Sequence, residues 1–365
     1  MVHISSEQNH LGGSASKNQA AIYRILDANL DRAREGLRII EEWCRFGLHQ
    51  TESTQQVKHL RQRLATWHTA EIRAERNTPA DPGTRLSHPQ EESRLSVQQV
   101  LQANFCRTQE ALRVLEEYGK LISPEMGADC KQMRYQVYTL ESSLAGYQRY
   151  QRLQQAQSYL VTSAHERLLE TVEAALAGGI AVVQYREKTL DDCDRLQIAQ
   201  QLKLLCHRYS ALFIVNDRVD LALAADADGV HLGQNDLPIE FAREILGANR
   251  IIGRSTTNPD QMQQAIAAGA DYIGVGPVYA TPTKPDKPAV GLDYVSYAAA
   301  HATVPWFAIG GISVDNLNEV LDAGAERVAV VRAIMAAEQP TLMSQYFVAQ
   351  LHHRQTLKTL PKTVI

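Results

Sequence analysis

The chain has 365 residues, a hydrophobic content of 44% and a formal net charge of −4. This length predicts two domains, and the composition is that of a globular protein with a large buried core. The small negative charge provides no global attraction to nucleic acid or to an anionic membrane, so any anion must be bound locally.

Residues 1–20 are rich in Ser, Asn and Gly and contain no apolar segment, which predicts a disordered N-terminus. The sequence also lacks a run of about 18 apolar residues, so membrane insertion is not expected. The five cysteines are an odd number without C-x-x-C spacing, a pattern that indicates neither a disulfide framework nor a zinc site. Reduced thiols in a cytoplasmic protein are therefore expected.

Residues 21–150 carry apolar residues at intervals of three and four, which predicts a separate all-helical domain. Within it, residues 28–43 align without gaps with residues 103–118, 75 positions later. The repeat keeps five polar pairs: Asn29/Asn104, Arg32/Arg107, Glu35/Glu110, Arg38/Arg113 and Glu42/Glu117. Two explanations are open, because a duplicated helix needs only its apolar stripe to pack. Either each helix carries ion pairs along its own surface, or the two polar faces meet around a ligand or a subunit interface.

A segment between the repeats, residues 73–84, contains Pro and Gly and carries the arginines Arg73 and Arg76. Its composition is typical of a turn. The segment is therefore either an anion-binding turn or a plain connector.

Residues 151–350 alternate short β-rich runs with helical segments, the pattern of βα units around a parallel sheet. The eight runs are residues 158–162, 181–185, 212–215, 229–232, 250–253, 272–275, 306–309 and 327–331. They predict a (β/α)8 TIM barrel after the all-α domain, with residues 351–365 as a C-terminal tail. The competing fold, a doubly wound open sheet, would carry G-x-G-x-x-G after its first strand, where this sequence has none.

Two loops at the carboxyl ends of predicted strands predict a phosphorylated substrate. Residues 274–284 and 308–312 each begin as an apolar run and end in Gly, Thr or Lys, residue types that bind phosphate oxygens. In a TIM barrel, chemistry gathers at this end of the strands, and phosphate commonly sits after strands seven and eight.

Asp217 and Asp236 follow adjacent predicted strands and are candidate metal ligands. The cations expected nearby are Arg186, Lys188 and Lys284. Carboxylates among several cations suit a Mg²⁺–diphosphate unit, because Mg²⁺ takes one or two protein carboxylates and completes its shell with water and phosphate oxygens. The alternative is that both aspartates are helix caps or ion-pair partners. Similarly, His231 is either an acid or base, or a hydrogen-bonded structural histidine.

Five segments together resemble the thiamine phosphate synthase family. They are QYREK (184–188), NDRVD (216–220), GVHLGQ (229–234), GPVYATPTK (276–284) and IGGI (309–312). They occur in order and at barrel-compatible spacing. The resemblance implies a transferase that joins hydroxymethylpyrimidine diphosphate to a thiazole phosphate, with Mg²⁺, and releases thiamine phosphate and diphosphate.

The resemblance also implies roles for individual residues. Those expected to hold the pyrimidine diphosphate are Gln184, Arg186, Lys188, Asn216, Ser255 and Lys284. Those expected to hold the thiazole phosphate are Thr281, Thr283, Gly311 through its N–H, Val331 and Arg332. Tyr185, Glu187 and Pro282 lie within the same motifs and are counted as substrate-binding. The implied Mg²⁺ ligands are Asp217 and Asp236, and the implied catalytic residues, which stabilise the leaving diphosphate, are Lys188, Ser255 and Lys284. Arg332 departs from the family pattern, in which many members have Ser.

Other functions remain open from the sequence. The barrel is alternatively a thiazole tautomerase or another phosphate-binding isomerase, or the chain is a non-catalytic binder of thiamine precursors. The helical part resembles the N-terminal extension of some bacterial thiamine phosphate synthases and is either a pyrimidine phosphate kinase, although it lacks a Walker-type loop, or an assembly module. The expected partners are small-molecule substrates and a second copy of the chain, with neither nucleic acid nor membrane.

Overall fold

The computed structural model describes residues 8–80, 94, 97–282 and 287–359. The chain divides into two compact units between Leu144 and Ala145. The boundary predicted from the sequence was residue 150. Among the residues described, no helix combines the length and apolar character needed to cross a membrane.

The first unit is all-helical. Its helices are α1 (Gln8–Glu42), α2 (Thr51–Trp67), α3 (Ala70–Ala74), α4 (Val97–Gly119) and the part of α5 (Pro124–Gln155) up to Leu144, with a π-helical turn at Trp43–Gly47 and a 3₁₀ turn at Thr78–Ala80. The rest of α5 belongs to the second unit. Helix α1 begins at Gln8, so residues 8–20 of the segment predicted to be disordered belong to this helix. This stretch includes Gln, Lys and Ala, which favour helix, and it continues a helix whose buried face is anchored from Leu26 onward.

The two repeats pack against each other through small residues. Helix α1 contacts α4, and a Cβ placed on Gly36 would lie 2.4 Å from Oγ1 of Thr108, a distance that no real side chain tolerates. At the equivalent positions of the repeat, Ala111 corresponds to Gly36 and Ala33 to Thr108, and both alanines are buried. Glycine at residue 36 is therefore required by the close approach of the two helix backbones.

The repeated arginines and glutamates form matching ion pairs. The pairs are Arg38–Glu41, Arg38–Glu42, Arg113–Glu116 and Arg113–Glu117. One buried carboxylate of each repeat also pairs with an arginine of the next helix: Glu41 with Arg61 of α2, and Glu116 with Arg134 of α5. These contacts favour the explanation by structural ion pairs for this part of the repeat.

The repeated asparagines are structural as well. Asn29 and Asn104 are buried, and each side-chain amide donates a hydrogen bond to the carbonyl four residues earlier, at 2.8 and 2.7 Å. Burying a side-chain amide without a hydrogen-bond partner is costly, so both repeats form the same hydrogen bond.

The second unit is a closed barrel of eight parallel strands, which confirms the predicted fold class. The strands are β1 (Ser158–Val161), β2 (Val182–Tyr185), β3 (Leu212–Asn216), β4 (Gly229–Leu232), β5 (Ile251–Thr256), β6 (Tyr272–Val275), β7 (Trp306–Ile309) and β8 (Val328–Val330). The helices are α6 (Leu168–Ala177), α7 (Asp192–Arg208), α8 (Val219–Ala224), α9 (Ile239–Leu246), α10 (Pro259–Ala267), α11 (Gly291–His301), α12 (Leu317–Asp322), α13 (Arg332–Met335) and α14 (Pro340–Thr359). Helix α14 continues to Thr359 and buries Leu351, so the predicted C-terminal tail is helical over residues 351–359.

Side chains alternate between the barrel interior and the surrounding helices along every strand. Tyr159 and Val161 of β1 belong to the inner cluster, whereas Leu160 packs outward against the helices. The inner cluster is sealed by Leu153 and Ala156, which precede β1. This period of two decides which residues can reach a ligand inside the barrel.

A buried carboxylate stabilises the start of β4, at the end of the barrel away from the loops that follow the strands. Asp228 is 2% exposed and accepts hydrogen bonds from the backbone N–H of Phe213 at 2.9 Å, Nε of Arg149 at 2.9 Å and Nε2 of His207 at 3.1 Å. Burial alone would raise the pKa of Asp228, but the hydrogen bonds and the charges of His207 and Arg149 lower it to about 2. The carboxylate is therefore ionised and fully paired.

Candidate active site

A cavity of about 310 Å³ opens at the carboxyl ends of the strands. This volume lies within the range of small-molecule sites, ~300–1,000 Å³. The predicted site residues that line it are Gln184, Arg186, Asn216, Ser255, Thr281, Gly311, Val331 and Arg332. They come from the ends of β2, β3, β5, β7 and β8 and from the loop after β6, so the closed barrel brings together residues far apart in sequence.

Three aromatic residues that the sequence motifs did not indicate also line the cavity. Tyr159, Tyr272 and Phe307 point inward from β1, β6 and β7. Phe307 meets the two tyrosine rings edge to face, with centroids 5.1 and 5.8 Å apart. The sequence could have indicated Tyr272, because the strand period of two places it on the same face of β6 as Gly274.

A chain of hydrogen bonds crosses the cavity and ends at Ser255. Nε2 of Gln184 donates to the hydroxyl of Tyr159 at 2.7 Å, and this hydroxyl lies 2.7 Å from that of Tyr272. The Tyr272 hydroxyl is 3.0 Å from Nδ1 of His231, whose Nε2 is 2.9 Å from Oγ of Ser255. Burial raises the pKa of Tyr159 and of Tyr272, so both phenols keep their protons.

The direction of these hydrogen bonds follows from counting donors. If each tyrosine hydroxyl both accepts and donates, the hydrogen bond from Gln184 directs the Tyr159 proton to Tyr272 and the Tyr272 proton to Nδ1 of His231. In this arrangement Nδ1 of His231 accepts a hydrogen bond and Nε2 donates one to Ser255. The Ser255 hydroxyl keeps its own proton to donate to a ligand in the cavity.

Two glycines shape the rim after β7. Gly310 and Gly311 have φ angles of 106° and 69°, and a Cβ on Gly311 would lie 2.7 Å from Cβ of Tyr279. Only glycine adopts this conformation without strain in so narrow a space. The side-chain amide of Asn316 donates to the Gly311 carbonyl at 2.9 Å and holds the loop in place. On this side of the cavity lie the cations Lys287 and Arg332.

The two candidate metal ligands lie next to each other beyond the lining of the cavity. Burial raises the pKa of Asp217, and the neighbouring Asp236 raises it further, while Lys188, with Nζ 3.4 Å from Oδ2 of Asp217, opposes the shift. Oδ2 of Asp236 accepts a hydrogen bond from the N–H of Gly233 at 2.6 Å. Two facing carboxylates with one lysine form an oxygen-rich donor set that a hard divalent cation would stabilise.

Some predicted residues lie elsewhere. Tyr185, which was predicted to bind substrate, is buried in the outer core between the strands and the helices, because Gln184 occupies the inward position before it. Tyr185 therefore does not line the cavity. Glu187 accepts hydrogen bonds from the N–H and hydroxyl of Thr189, both at 2.6 Å, and therefore stabilises its own loop. Pro282 is exposed and does not line the cavity. Thr283 and Lys284 lie outside the described residues.

The fold and the cavity thus define a barrel enzyme whose site lies at the carboxyl ends of the strands. A profile described as thiamine monophosphate synthase matches residues 158–334, and a ThiD2 family profile matches residues 24–143. The thiamine-phosphate synthase of Nostoc sp. (strain PCC 7120) is 67% identical over 92% of this chain and 95% of its own length. That of Synechocystis sp. is 62% identical over 91% of this chain and 96% of its own length. The chain belongs to the thiamine-phosphate synthase family.

A solved structure agrees with this assignment for the barrel. The thiamine phosphate pyrophosphorylase from Pyrococcus furiosus is 36% identical, with a TM-score of 0.52. The match covers 56% of this chain and 98% of that one. The predicted activity is therefore confirmed at the level of thiamine-phosphate synthase, a transferase of thiamine biosynthesis.

Proposed function

We propose that the barrel joins hydroxymethylpyrimidine diphosphate to a thiazole phosphate through two anion-binding regions that face each other across one cavity. The first region follows β2 to β4 and contains Arg186, Lys188 and the Asp217–Asp236 pair. The second follows β7 and β8 and contains Gly311 and Arg332. In the closed order of the strands, β3 and β7 lie on opposite sides of the barrel. This separation carries the proposal, because the reaction needs a site for a leaving diphosphate and another for a second phosphate.

The aromatic residues and the hydrogen-bond chain suit the pyrimidine. Tyr159, Tyr272 and Phe307 provide an apolar floor on which a flat ring can stack. Gln184 and Ser255 stand at the two ends of the chain of hydrogen bonds and fix polar edges of the ring or its diphosphate. The site therefore orients the pyrimidine before reaction, which lowers the entropic part of the barrier.

The residues present fit a bound Mg²⁺. Asp217 and Asp236 would hold it, because both offer carboxylate oxygens. The pKa of Asp217 is raised by burial and then by the neighbouring Asp236, and a bound cation would offset both effects. Such an ion supplies charge neutralisation for the leaving diphosphate. Lys188 and the hydroxyl of Ser255 add charge and a hydrogen bond at the same place.

The chemistry needs no protein nucleophile. The electron-rich aminopyrimidine stabilises a methylene cation as its C–O bond to diphosphate breaks, and the thiazole nitrogen then forms the new C–N bond. The chain supplies alignment of the two substrates and charge stabilisation of the leaving group.

The test combines product formation with a matched pair of aspartate variants. Thiamine phosphate and diphosphate are measured from the two substrates over a range of Mg²⁺ concentrations. We expect Asp217→Asn to raise the Mg²⁺ concentration for half-maximal rate at least about tenfold, as loss of one charged ligand contact predicts. Asp220→Asn is the control, because Asp220 is exposed and paired with Arg218. An unchanged Mg²⁺ dependence in Asp217→Asn would refute the proposed metal site.

A further inference from the structure

The helical unit contains a polar cavity of its own, of about 430 Å³. Its lining residues are Asp31, Arg34, His68, Arg73 and Arg76. Three of these five are arginines, so the cavity is locally positive although the chain as a whole is negative. The barrel reaction uses none of them.

The local sequence explains how these side chains converge. Asp27, Asp31 and Arg34 are spaced by four and three on α1 and therefore share one face of that helix. His68 is the residue that follows α2, and the short turn to α3 brings it against this face. Arg73 lies near the end of α3, in the segment whose composition suggested an anion-binding turn.

A buried carboxylate holds two of the cavity residues in position. Asp27 is 4% exposed and accepts hydrogen bonds from Nε and Nη2 of Arg76, at 2.7 and 2.9 Å, and lies 2.7 Å from Nε2 of His68. Although burial raises the pKa of Asp27, its contacts with Arg76 and His68 lower it on balance. Arg76 also pairs with Asp31. The guanidinium and the imidazole are therefore fixed before any ligand arrives.

Two buried nitrogens at this cavity have no hydrogen-bond partner among the residues that the structure describes. One is Nδ1 of His68, whose side chain is 3% exposed and which lies 3.7 Å from Oδ1 of Asp31, beyond hydrogen-bond distance. The other is Nε of Arg34. A buried polar atom without a partner is costly, and a ligand that supplies oxygen atoms would satisfy both.

We propose that this cavity binds the phosphate group of a small molecule, separately from the barrel. The guanidinium groups of Arg34 and Arg73 match phosphate oxygens in geometry and charge. Arg76, which Asp27 and Asp31 already bind, adds positive charge. The unpartnered Nδ1 of His68 supplies a further hydrogen bond, either to a phosphate oxygen or from its hydroxyl. The site gives the helical unit a ligand of its own. Inorganic phosphate and phosphate monoesters both carry the phosphate group that it would bind.

Three potential metal ligands lie at this cavity, so the competing hypothesis is that it binds a metal ion. Oxygen and nitrogen atoms of Asp27, Asp31 and His68 lie within 4.8 Å of one another. However, both oxygens of Asp27 already bind Arg76, so a metal ion would have to displace a guanidinium. It would also enter a cavity that carries more arginines than carboxylates. These contacts favour an anion.

The experiment measures binding of inorganic phosphate to the full chain by equilibrium dialysis, without Mg²⁺. We expect Arg73→Ala to weaken one class of phosphate sites about tenfold, as the loss of one charged hydrogen bond predicts. Arg73 is exposed, so its removal should leave the helical content and the rate of thiamine phosphate formation unchanged. Arg45→Ala is the matched control, because Arg45 is an exposed arginine of the same unit that lies over Phe46 and outside the cavity.

A second measurement separates an anion site from a metal site by the sign of the effect. If the cavity binds phosphate, Arg73→Ala weakens phosphate binding and leaves Mn²⁺ binding unchanged. If the cavity binds a metal ion, the same substitution strengthens Mn²⁺ binding, which is followed by the loss of the electron paramagnetic resonance signal of free Mn²⁺. Weaker phosphate binding in both Arg73→Ala and His68→Ala, with Mn²⁺ binding unchanged, would support the proposal. Wild-type phosphate binding in both variants, or Mn²⁺ binding that rises in Arg73→Ala and disappears in His68→Ala, would overturn it.

Discussion

Replacement of Asp228 by Asn should destabilise the barrel through the loss of a single buried charge. Its carboxylate accepts one backbone hydrogen bond from Phe213 and is paired with Arg149 and His207. An asparagine keeps the shape and the acceptor for the backbone N–H. It removes the charge that compensates Arg149, and a buried pair broken on one side leaves its partner uncompensated.

The magnitude follows from the pKa of Asp228. Its value of about 2 lies below the usual ~3.9 of an aspartate, and each unit corresponds to about 1.4 kcal/mol. The ionised carboxylate therefore contributes about 2–3 kcal/mol at pH 7. Because the pKa is lowered in the folded state, this contribution is complete above pH ~4. It disappears as the pH falls through about 2.

Tryptophan fluorescence isolates the unfolding of the barrel. The chain has three tryptophans, and only Trp306 lies in the barrel, so a background with Trp43→Phe and Trp67→Phe reports on β7. Urea unfolding at pH 7 should show a loss of about 2–3 kcal/mol in Asp228→Asn. Asp322→Asn is the control, since this exposed carboxylate pairs with Arg354 on the surface and should cost at most about 1 kcal/mol. A loss below about 1 kcal/mol in Asp228→Asn, or one that grows as the pH is lowered below 4, would refute the argument.

Three further substitutions test the packing of the two units. Tyr185→Phe should leave the KM for both substrates unchanged and keep or raise the urea midpoint, because the Tyr185 hydroxyl is buried without a partner among the described residues. Gly253→Ala should lower both activity and the urea midpoint, at a cost of about 1–3 kcal/mol, because its Cβ would lie 2.1 Å from Cζ of Tyr272 in the cavity floor. Gly36→Ala should destabilise only the helical unit, again by about 1–3 kcal/mol, through its clash with Thr108. Trp67 fluorescence should detect this loss while the rate of thiamine phosphate formation stays unchanged.

The barrel was predictable because its signals are local. Each strand is a short β-rich run, each is followed by a helical segment, and eight such units allow few arrangements. The predicted run at residues 250–253 was too short, since β5 extends to Thr256. Ser255 and Thr256 are polar, so a search for apolar runs ended the strand before the residues that reach the cavity.

The helical unit was predictable only as helices. Periodicity shows which face of α1 is buried, but the contacts of Asp27 with His68 and Arg76 join residues 41 and 49 positions apart, respectively. No local pattern fixes such contacts, because they depend on how the turn after α2 is folded. The repeat likewise showed that Asn29 was retained, while its reason, a bond to the carbonyl of Ile25 inside a packed interface, required the structure.

The motif around β2 shows why a resemblance and a strand register have to be used together. Gln184, Tyr185 and Arg186 are consecutive. The resemblance assigns Gln184 and Arg186 to the substrate, and Tyr185 was counted with them because it lies in the same motif. In the barrel, Gln184 and Arg186 line the cavity, whereas Tyr185 points to the helices. The alternation is present in the sequence, since Val183 and Tyr185 continue the outward face of the strand. A motif taken as a continuous string therefore mixes ligand-binding and core residues, and the strand period of two is enough to separate them.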